Sequence, residues 1–87
     1  MWYVYILKSK KITNWIYVGS TNLLSRRINE HKGEKCTSTK PYLPIYLTAY
    51  IAVSSEVRAR SLEKYLKVGS GKAILNKRIL GDEARRA

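Results

Sequence analysis

Two short runs of aromatic and β-branched residues open the chain and predict two β-strands. They occupy residues 2–7 and 15–19, and side chains of these kinds favour strands. A period of two places Tyr5 on the face of the first strand opposite to Val4. Because the polar link between the runs is short, we expect an antiparallel hairpin, in which Tyr5 and Tyr17 can share a face.

A helix is predicted to follow the second strand. Residues 20–22 read Ser-Thr-Asn, and any of these side chains can cap a first turn. The helix is expected to run to about Lys32, before a glycine that favours its end. Ile28 then faces the core, while Arg27 and His31, one turn apart, share a stripe beside it. Both of these side chains should project near the edge of the sheet.

The middle of the chain predicts a loop, a third strand and a second helix. A polar loop over residues 33–44 contains both prolines, and apolar and polar residues then alternate over residues 45–53. The serines at residues 54–55 can cap a helix of about residues 56–68.

The end of the chain predicts a short last helix and a tail. Residues 69–71 read Gly-Ser-Gly, which is expected to break the chain before a helix of about residues 73–80. The polar residues 81–87 are expected to form a frayed tail. Residues 1–87 therefore make a single domain of the α+β class, a small three-stranded antiparallel sheet flanked by helices.

The charge of the chain indicates the class of its partner. Lys and Arg number 17 against 6 Asp and Glu, which gives a net charge of +11. A field of this sign favours nucleic acid or an anionic membrane surface, and its spread along the chain favours a basic face over a basic arm. No apolar run approaches the roughly 20 residues of a transmembrane helix, and no signal-peptide pattern is present. We therefore expect a cytoplasmic protein that binds nucleic acid and not a membrane.

Glu63 is the acidic residue that best suits a metal site. The lone Cys36 excludes a disulfide within the chain and a zinc cluster. Glu63 is predicted on or beside the apolar stripe of Leu62 and Leu66, where a carboxylate is costly unless it is paired or metal-bound. An arginine or lysine partner would satisfy it as well. A single carboxylate suits Mg²⁺, which keeps several waters and takes further ligands from substrate phosphate.

Each of the tyrosines, the arginine and the histidine has an ordinary structural explanation when it is taken singly. Taken together, their spacing resembles that of the GIY-YIG nuclease family. Residues 3–5, Tyr-Val-Tyr, stand where the first family tripeptide would be, and residues 17–19, Tyr-Val-Gly, where the second would be. Tyr3 replaces the glycine of the first tripeptide. The resemblance spans about residues 2–80 and is closest to small single-domain members that are similar to the N-terminal nuclease domain of excinuclease C.

The resemblance implies one site that holds a phosphodiester beside a divalent cation, Mg²⁺ or Mn²⁺. The catalytic residues that it implies are Tyr5, Tyr17, Arg27, His31 and Glu63, with Glu63 as the metal ligand. Arg27 would bind phosphate oxygens, and His31 would orient a tyrosine or contact phosphate. We favour Tyr5 as the residue that orients and deprotonates the water, with Tyr17 as its partner, although the two roles could be reversed. All five side chains are expected to converge on one cavity on the same side of the sheet.

Binding is expected to be mostly electrostatic. Contacts to phosphate position a strand without carrying sequence information, so we predict low sequence specificity. Asn76 is included among the contacts because it stands where some family members carry a phosphate-contacting residue. The candidate contacts are Lys32, Lys35, Lys40, Lys72, Asn76 and Lys77, together with the hydroxyls of residues 37–39. Nothing in the sequence specifies an oligomeric state.

The function implied by the resemblance is a metal-dependent endonuclease that hydrolyses nucleic-acid phosphodiester bonds. DNA is favoured over RNA, and the products would carry a 5′-phosphate and a 3′-hydroxyl. An alternative is a non-catalytic nucleic-acid-binding module on the same fold, which would keep the basic surface without the reaction. A basic ribosome-associated or membrane-surface protein would explain the charge but not the paired tyrosines or Glu63. Metal-dependent cleavage distinguishes the first two.

Overall fold

An antiparallel sheet forms the centre of the fold. The computed structural model describes residues 1–33 and 36–79. Its strands are β1 (Trp2–Ser9), β2 (Ile16–Thr21) and β3 (Ile45–Val53). They form a three-stranded sheet in the order β2-β1-β3, so β1 is central and β2 lies at an edge. The predicted sheet is confirmed, and the bounds of the third strand agree with the prediction.

Helices lie on both faces of the sheet, which confirms the α+β class. They are α1 (Leu24–Lys32), a 3₁₀ turn (Lys40–Tyr42), α2 (Glu56–Leu66), α3 (Gly69–Ile74) and a π-helical turn (Leu75–Ile79). Among the described residues, none of these helices has the length and apolar character needed to cross a membrane.

The register of the hairpin decides which aromatic residues share a face. Tyr5 pairs with Gly19, and Leu7 pairs with Tyr17. Paired residues of antiparallel strands point to the same side of a sheet, and successive residues of one strand point to opposite sides. The rings of Tyr5 and Tyr17 therefore lie on one face, and Val4 lies on the other.

The two faces of the sheet carry different cores. α2 and the π-helical turn cover an aliphatic core, whereas α1 covers a core that contains an aromatic ring. The buried residues of the first core are Val4, Ile6, Val18, Ala59, Leu66 and Leu75. Those of the second are Tyr5, Leu7, Ile28 and Ile45. Because burying one aliphatic side chain of this kind contributes roughly 1.5–3 kcal/mol, both layers hold β1 in place.

The start of α1 differs from the prediction. Ser20 and Thr21 extend β2, and the residue that precedes the helix is Leu23, which makes no side-chain cap. The Thr21 hydroxyl instead accepts a hydrogen bond from the Leu23 amide at 3.1 Å. The predicted Ser-Thr-Asn cap is therefore wrong, because the pairing of β2 with β1 continues through Thr21.

The predicted cap of α2 is confirmed, but the end of the helix is not. The Ser55 hydroxyl accepts a hydrogen bond from the Arg58 amide at 3.3 Å, which satisfies one of the donors at the first turn. The helix ends at Leu66, earlier than the predicted residue 68.

The Gly-Ser-Gly segment starts α3 and does not break the chain. A Cβ atom on Gly71 would overlap the backbone carbonyl of Tyr65. Glycine is therefore needed for close packing of α3 against the end of α2. The predicted helix at 73–80 is wrong at its start, because α3 begins at Gly69. Its predicted end at Leu80 and the predicted tail at 81–87 lie outside the described residues.

Candidate active site

The hydroxyl of Tyr5 lies at the centre of a buried polar cluster on the α1 face. β1 carries this side chain beneath α1, where Tyr5 is 1% exposed. Its oxygen lies 2.9 Å from Nε2 of His31, and Nε of Arg27 donates a hydrogen bond to it at 3.3 Å. Arg27 and His31 are one turn apart on α1, so a single helix face supplies both partners, as the sequence predicted.

The hydrogen-bond pattern assigns the protons of this cluster. Thr39 donates its hydroxyl proton to the Cys36 carbonyl at 3.3 Å. The same oxygen lies 3.0 Å from Nδ1 of His31, so it must accept the Nδ1 proton. Nε2 of His31 is then the unprotonated nitrogen of a neutral ring, and it accepts the hydroxyl proton of Tyr5. The tautomer is assigned from this network.

Burial keeps Tyr5 and His31 uncharged near neutral pH. Desolvation raises the pKa of Tyr5 to about 12, although the hydrogen bond from Arg27 acts in the opposite direction. Desolvation also lowers the pKa of His31, and the positive charge of Arg27 lowers it further. Both effects follow because a low-dielectric environment disfavours the ionised form of each group.

Gly19 creates the space into which the Tyr5 hydroxyl fits. A Cβ atom on Gly19 would lie 2.5 Å from that hydroxyl and 3.0 Å from the Tyr17 ring. The missing side chain therefore lets the phenol of Tyr5 lie across the edge strand β2. The Tyr17 ring stacks beside it, with ring centres 6.2 Å apart, and is partly exposed. The glycine that ends the second tripeptide thus has a steric role.

Arg27 presents a permanent positive charge at this edge. Its Nη1 lies 3.1 Å from Oε1 of Glu30, one turn further along α1. The hydrogen bond to Tyr5, followed by that to Glu30, raises the pKa of Arg27 further above its already high value. In return the Arg27 hydrogen bond lowers the pKa of Glu30. The guanidinium is therefore hydrogen-bonded to two partners and half-buried. Its planar arrangement of N–H donors is suited to phosphate oxygens.

Glu63 approaches the same strand from the opposite layer. The Ser20 hydroxyl donates to Oε1 of Glu63 at 2.6 Å, and Ser20 pairs with Val4, whose side chain lies in the aliphatic core. The expectation that all five side chains lie on one side of the sheet is therefore wrong for Glu63. It arises from α2, on the other face, and reaches β2 one residue beyond Gly19.

Glu63 is partly exposed and already has a cationic partner. Nζ of Lys67 lies 2.7 Å from Oε2 of Glu63, whose side chain is 24% exposed. Burial would raise the pKa of Glu63, but the hydrogen bonds from Lys67 and Ser20 outweigh this effect and lower it. The carboxylate is thus ionised at neutral pH. The lysine partner that the sequence left open as an explanation of Glu63 is present.

The chain is similar to a known protein family over most of its length. The chain matches the GIY-YIG catalytic domain over residues 1–78. It belongs to the GIY-YIG family. This is an endonuclease family whose members generally use a divalent metal. The comparisons with curated proteins and with solved structures gave no match.

The donor set of this GIY-YIG domain fits a hard divalent cation only through a single carboxylate. No group of three or more His, Cys, Asp and Glu side chains among the described residues could hold a metal ion. The ionised, partly exposed carboxylate of Glu63 is nevertheless the kind of ligand that Mg²⁺ accepts together with waters and substrate oxygens. A site of this kind would be completed by the substrate.

The predicted nucleic-acid contacts fall into three groups. Thr39 is 0% exposed and bonds to His31, so its predicted place along the phosphate path is wrong. Lys35 lies outside the described residues. The other seven predicted contacts are exposed: Lys32, Thr37, Ser38, Lys40, Lys72, Asn76 and Lys77.

Two contacts at this site, that of Glu30 with Arg27 and that of Thr39 with His31, were not predicted from the sequence. Glu30 could have been found from its spacing, because it lies three residues after Arg27 on the same helix, and such pairs are neighbours. Thr39 offered no such signal, because its loop has no periodicity that relates it to His31.

Proposed function

We propose that this GIY-YIG domain is a divalent-metal-dependent endonuclease that hydrolyses DNA phosphodiester bonds and leaves a 5′-phosphate and a 3′-hydroxyl. One observation carries the proposal. The Tyr5 hydroxyl, to which Arg27 is hydrogen-bonded, and the ring of Tyr17, a residue of β2, lie at Gly19 on one side of the sheet, and Glu63 bonds to Ser20 on the other. Because β2 is an edge strand, a phosphodiester that lies along this edge can touch groups from both layers.

Arg27 is assigned to the non-bridging oxygens of the scissile phosphate. Tyr5 and Glu30 hold Nε and Nη1 of Arg27, which fixes the plane of the guanidinium. No hydrogen bond from Nη2 to another described residue occupies that donor, and we assign it to phosphate. A positively charged donor that is held before the substrate arrives stabilises the charge that develops in the transition state. His31 and Tyr5 therefore act on the reaction through Arg27, as positioning residues.

Tyr17 is assigned to the attacking water, which reverses the roles favoured from the sequence. Tyr5 is almost fully buried, its pKa is raised to about 12 and its proton is held by His31. A group in that state is poorly placed to take a proton from water. Tyr17 lies beside it and is partly exposed, so it is the tyrosine that we assign to contact water.

Glu63 is assigned to hold Mg²⁺ or Mn²⁺. When bound, such an ion supplies charge neutralisation at the phosphate and stabilises the departing 3′-oxygen. The chain's own contribution is an ionised carboxylate, in which the Ser20 hydroxyl orients Oε1 and Lys67 pairs with Oε2 as long as no cation is bound. Lys67 must move away from the carboxylate oxygen that accepts the cation.

The proposed substrates are recognised by charge and shape and not by base sequence. Exposed Lys67 bonds to Glu63, and exposed Lys72 lines the same cavity as Val18 of β2. Contacts of lysines with phosphates supply sequence-independent binding. We place the domain among the small single-domain members that are similar to the nuclease domain of excinuclease C. That placement predicts DNA with a branch, flap or unpaired segment as the preferred substrate.

A cleavage panel tests this function. Labelled duplex, single-stranded, flapped and branched DNA, with matched RNA, is incubated with the full chain in Mg²⁺, in Mn²⁺ and with a chelator. We expect metal-dependent nicks whose ends can be resealed by a ligase that requires a 5′-phosphate and a 3′-hydroxyl. Glu63→Ala should abolish cleavage, whereas Glu56→Ala, an exposed acid at the start of α2, should not.

Binding measured on the same substrates separates the proposal from the remaining alternative. Salt-sensitive binding without cleavage of any substrate in either metal would show a non-catalytic nucleic-acid-binding module. Cleavage that survives Glu63→Ala would instead remove Glu63 from its assigned role.

A further inference from the structure

A cavity opens beside the candidate site, between the edge strand and the helices of the aliphatic layer. Its volume is about 280 Å³. The apolar side chains that line it include Val18, Leu66 and Leu75, and the polar ones include Lys67, Lys72 and Asn76. These three apolar residues are buried, whereas the three polar residues are exposed. The cavity therefore has an apolar floor and a rim that is polar and positively charged.

The cavity and the candidate site are contiguous. Lys67 lines the cavity, and its Nζ lies 2.7 Å from the carboxylate of Glu63. Along β2, Val18 precedes Ser20 by two residues, which is about 7 Å at the rise of an antiparallel strand. That step is comparable to one nucleotide, so a strand whose phosphate lies at Glu63 can place an adjacent nucleoside over the cavity.

The chemistry of the lining suits a nucleobase. An apolar floor accepts the flat face of a base, and a carboxamide such as that of Asn76 can both donate to and accept from a base edge. The two lysines at the rim complement the phosphates on either side of that base. A purely apolar ligand would make no use of the positive charge at this rim. Asn76 and Leu75 also lie on the π-helical turn, and π segments occur frequently at functional sites.

We propose that this cavity receives an unpaired nucleobase of the strand that is cut, next to the scissile phosphate. The inference rests on the proposed function and specifies which DNA substrates the domain prefers. A base within a regular duplex must leave its stack before it can enter, whereas a base in a flap, bulge or single strand is already accessible. The domain would therefore select substrates by the presence of an unpaired nucleotide beside the cleavage position.

Binding without cleavage tests the cavity independently of the reaction. DNA hairpins that carry 2-aminopurine, either unpaired in a bulge or fully paired, are titrated with the full chain in the presence of a chelator. We expect the bulged probe to bind more tightly and its fluorescence to change as the base enters the cavity. Asn76→Ala should reduce the preference by about five-fold or more, because it removes a paired contact to the base edge.

Lys77→Ala is the matched control for this variant. Lys77 follows Asn76 and is exposed, but it does not line the cavity. As a phosphate contact it should weaken both probes equally and leave the preference unchanged. Lys72→Ala provides a second variant at the rim and should lower affinity for the bulged probe more than for the paired one. Thermal melts establish that each variant is folded.

The outcomes separate this inference from the proposed function. Equal binding of bulged and paired probes by the wild-type chain, or an equal loss of preference in Asn76→Ala and Lys77→Ala, would overturn the cavity assignment while leaving the nuclease intact. A preference that depends on Asn76 but not on Lys77 supports the assignment, whether or not the chain cleaves DNA. Cleavage is measured separately, with the substrate panel and the two metals.

Discussion

The two faces of the sheet bury side chains of opposite character from the same central strand. On the α1 face, Tyr5 and His31 form a polar cluster with Thr39 that excludes solvent. On the α2 face, Val4 and Ile6 pack against aliphatic side chains. Along residues 4–6 of β1, a hydrogen-bonded side chain on one face thus lies between two apolar side chains on the other.

This difference indicates that the aliphatic core of the α2 face stabilises the fold, whereas the polar cluster of the α1 face positions a group for the reaction. Burying hydroxyl and imidazole groups is unfavourable unless each one is hydrogen-bonded. Within the described residues, no buried side-chain nitrogen or oxygen lacks such a partner, so the polar cluster is tolerated, but an apolar core of equal volume would serve stability as well. Its polar groups are therefore explained by the arginine that they hold. Changes in the polar cluster of the α1 face should mainly alter the rate. Changes in the aliphatic core of the α2 face, to which Glu63 does not belong, should mainly alter the free energy of unfolding.

The largest expected effect is the loss of cleavage in Tyr17→Phe. Removing the phenol oxygen, which in its phenolate form would take the proton of the attacking water, should lower kcat by about 10²–10⁴-fold. The free energy of unfolding should change little, because Tyr17 is only partly buried. Single-turnover cleavage and a denaturant titration measure the two quantities.

Tyr5→Phe distinguishes the two assignments of the tyrosines. It removes the hydroxyl that holds Arg27 and His31, so it should lower both stability and kcat, with the smaller loss in kcat. If Tyr5→Phe abolishes cleavage while Tyr17→Phe retains it, the roles favoured from the sequence are the correct ones.

The next effect belongs to the opposite face. Ile6→Ala removes a side chain that is 0% exposed in the aliphatic core and should lower the free energy of unfolding by about 2–5 kcal/mol. The cleavage rate per folded molecule should stay within about two-fold of that of the wild-type chain, because no group at the phosphate is changed. Val57→Ala, at an exposed position of α2, is the control and should alter stability by less than about 0.5 kcal/mol. A large loss of rate in Ile6→Ala at full folding would break the division between the faces.

A smaller effect is expected when the pH is lowered. His31 has a lowered pKa in the folded chain, because of burial first and the charge of Arg27 second. Above pH 6.5, the ordinary pKa of histidine, the ring is neutral in both states and its contribution to stability is complete. Below that pH the unfolded chain takes up a proton that the folded chain does not, so stability should fall by up to about 1.4 kcal/mol per pH unit.

His31→Gln separates this titration from that of the carboxylates. The pKa values of Glu30 and Glu63 are lowered from 4.5, so their contributions are lost only at lower pH. Between pH 6.5 and about pH 5 the variant should therefore show a flatter dependence than the wild-type chain. Parallel curves for the two proteins over that interval would mean that His31 is not the responsible group.

The residues that share a face of the sheet could be predicted from the sequence, but the helix that packs on each face could not. Alternation along residues 2–7 places Val4 and Tyr5 on opposite sides, because the period of a strand is fixed by its pleat. Alternation does not say which helix covers which face. Glu63 was therefore placed on the right helix but on the wrong side of the sheet.

Contacts between residues that share no regular element were the hardest to predict. Arg27 and His31 were placed together because the turn of a helix fixes their spacing. Thr39 was assigned to a phosphate path because a hydroxyl in a basic loop is usually solvated, whereas the structure buries it against His31. Gly71 was taken as a chain break because sequence alone does not show the backbone of Tyr65 that approaches it.

The smallest expected effect comes from Glu30→Gln, which tests how strongly the α1 face holds Arg27. Glu30 is partly exposed and pairs with Arg27 at 3.1 Å, and exposed ion pairs contribute about 0.2–1 kcal/mol. Losing one of the two groups that orient the guanidinium should lower kcat by no more than about five-fold, with little change in KM for DNA. Glu56→Gln breaks a similar pair, with Arg60 at 2.7 Å, on the other face and should leave kcat unchanged. An equal effect of the two substitutions would indicate a general change in surface charge, and the orientation of Arg27 would then depend on Tyr5 alone.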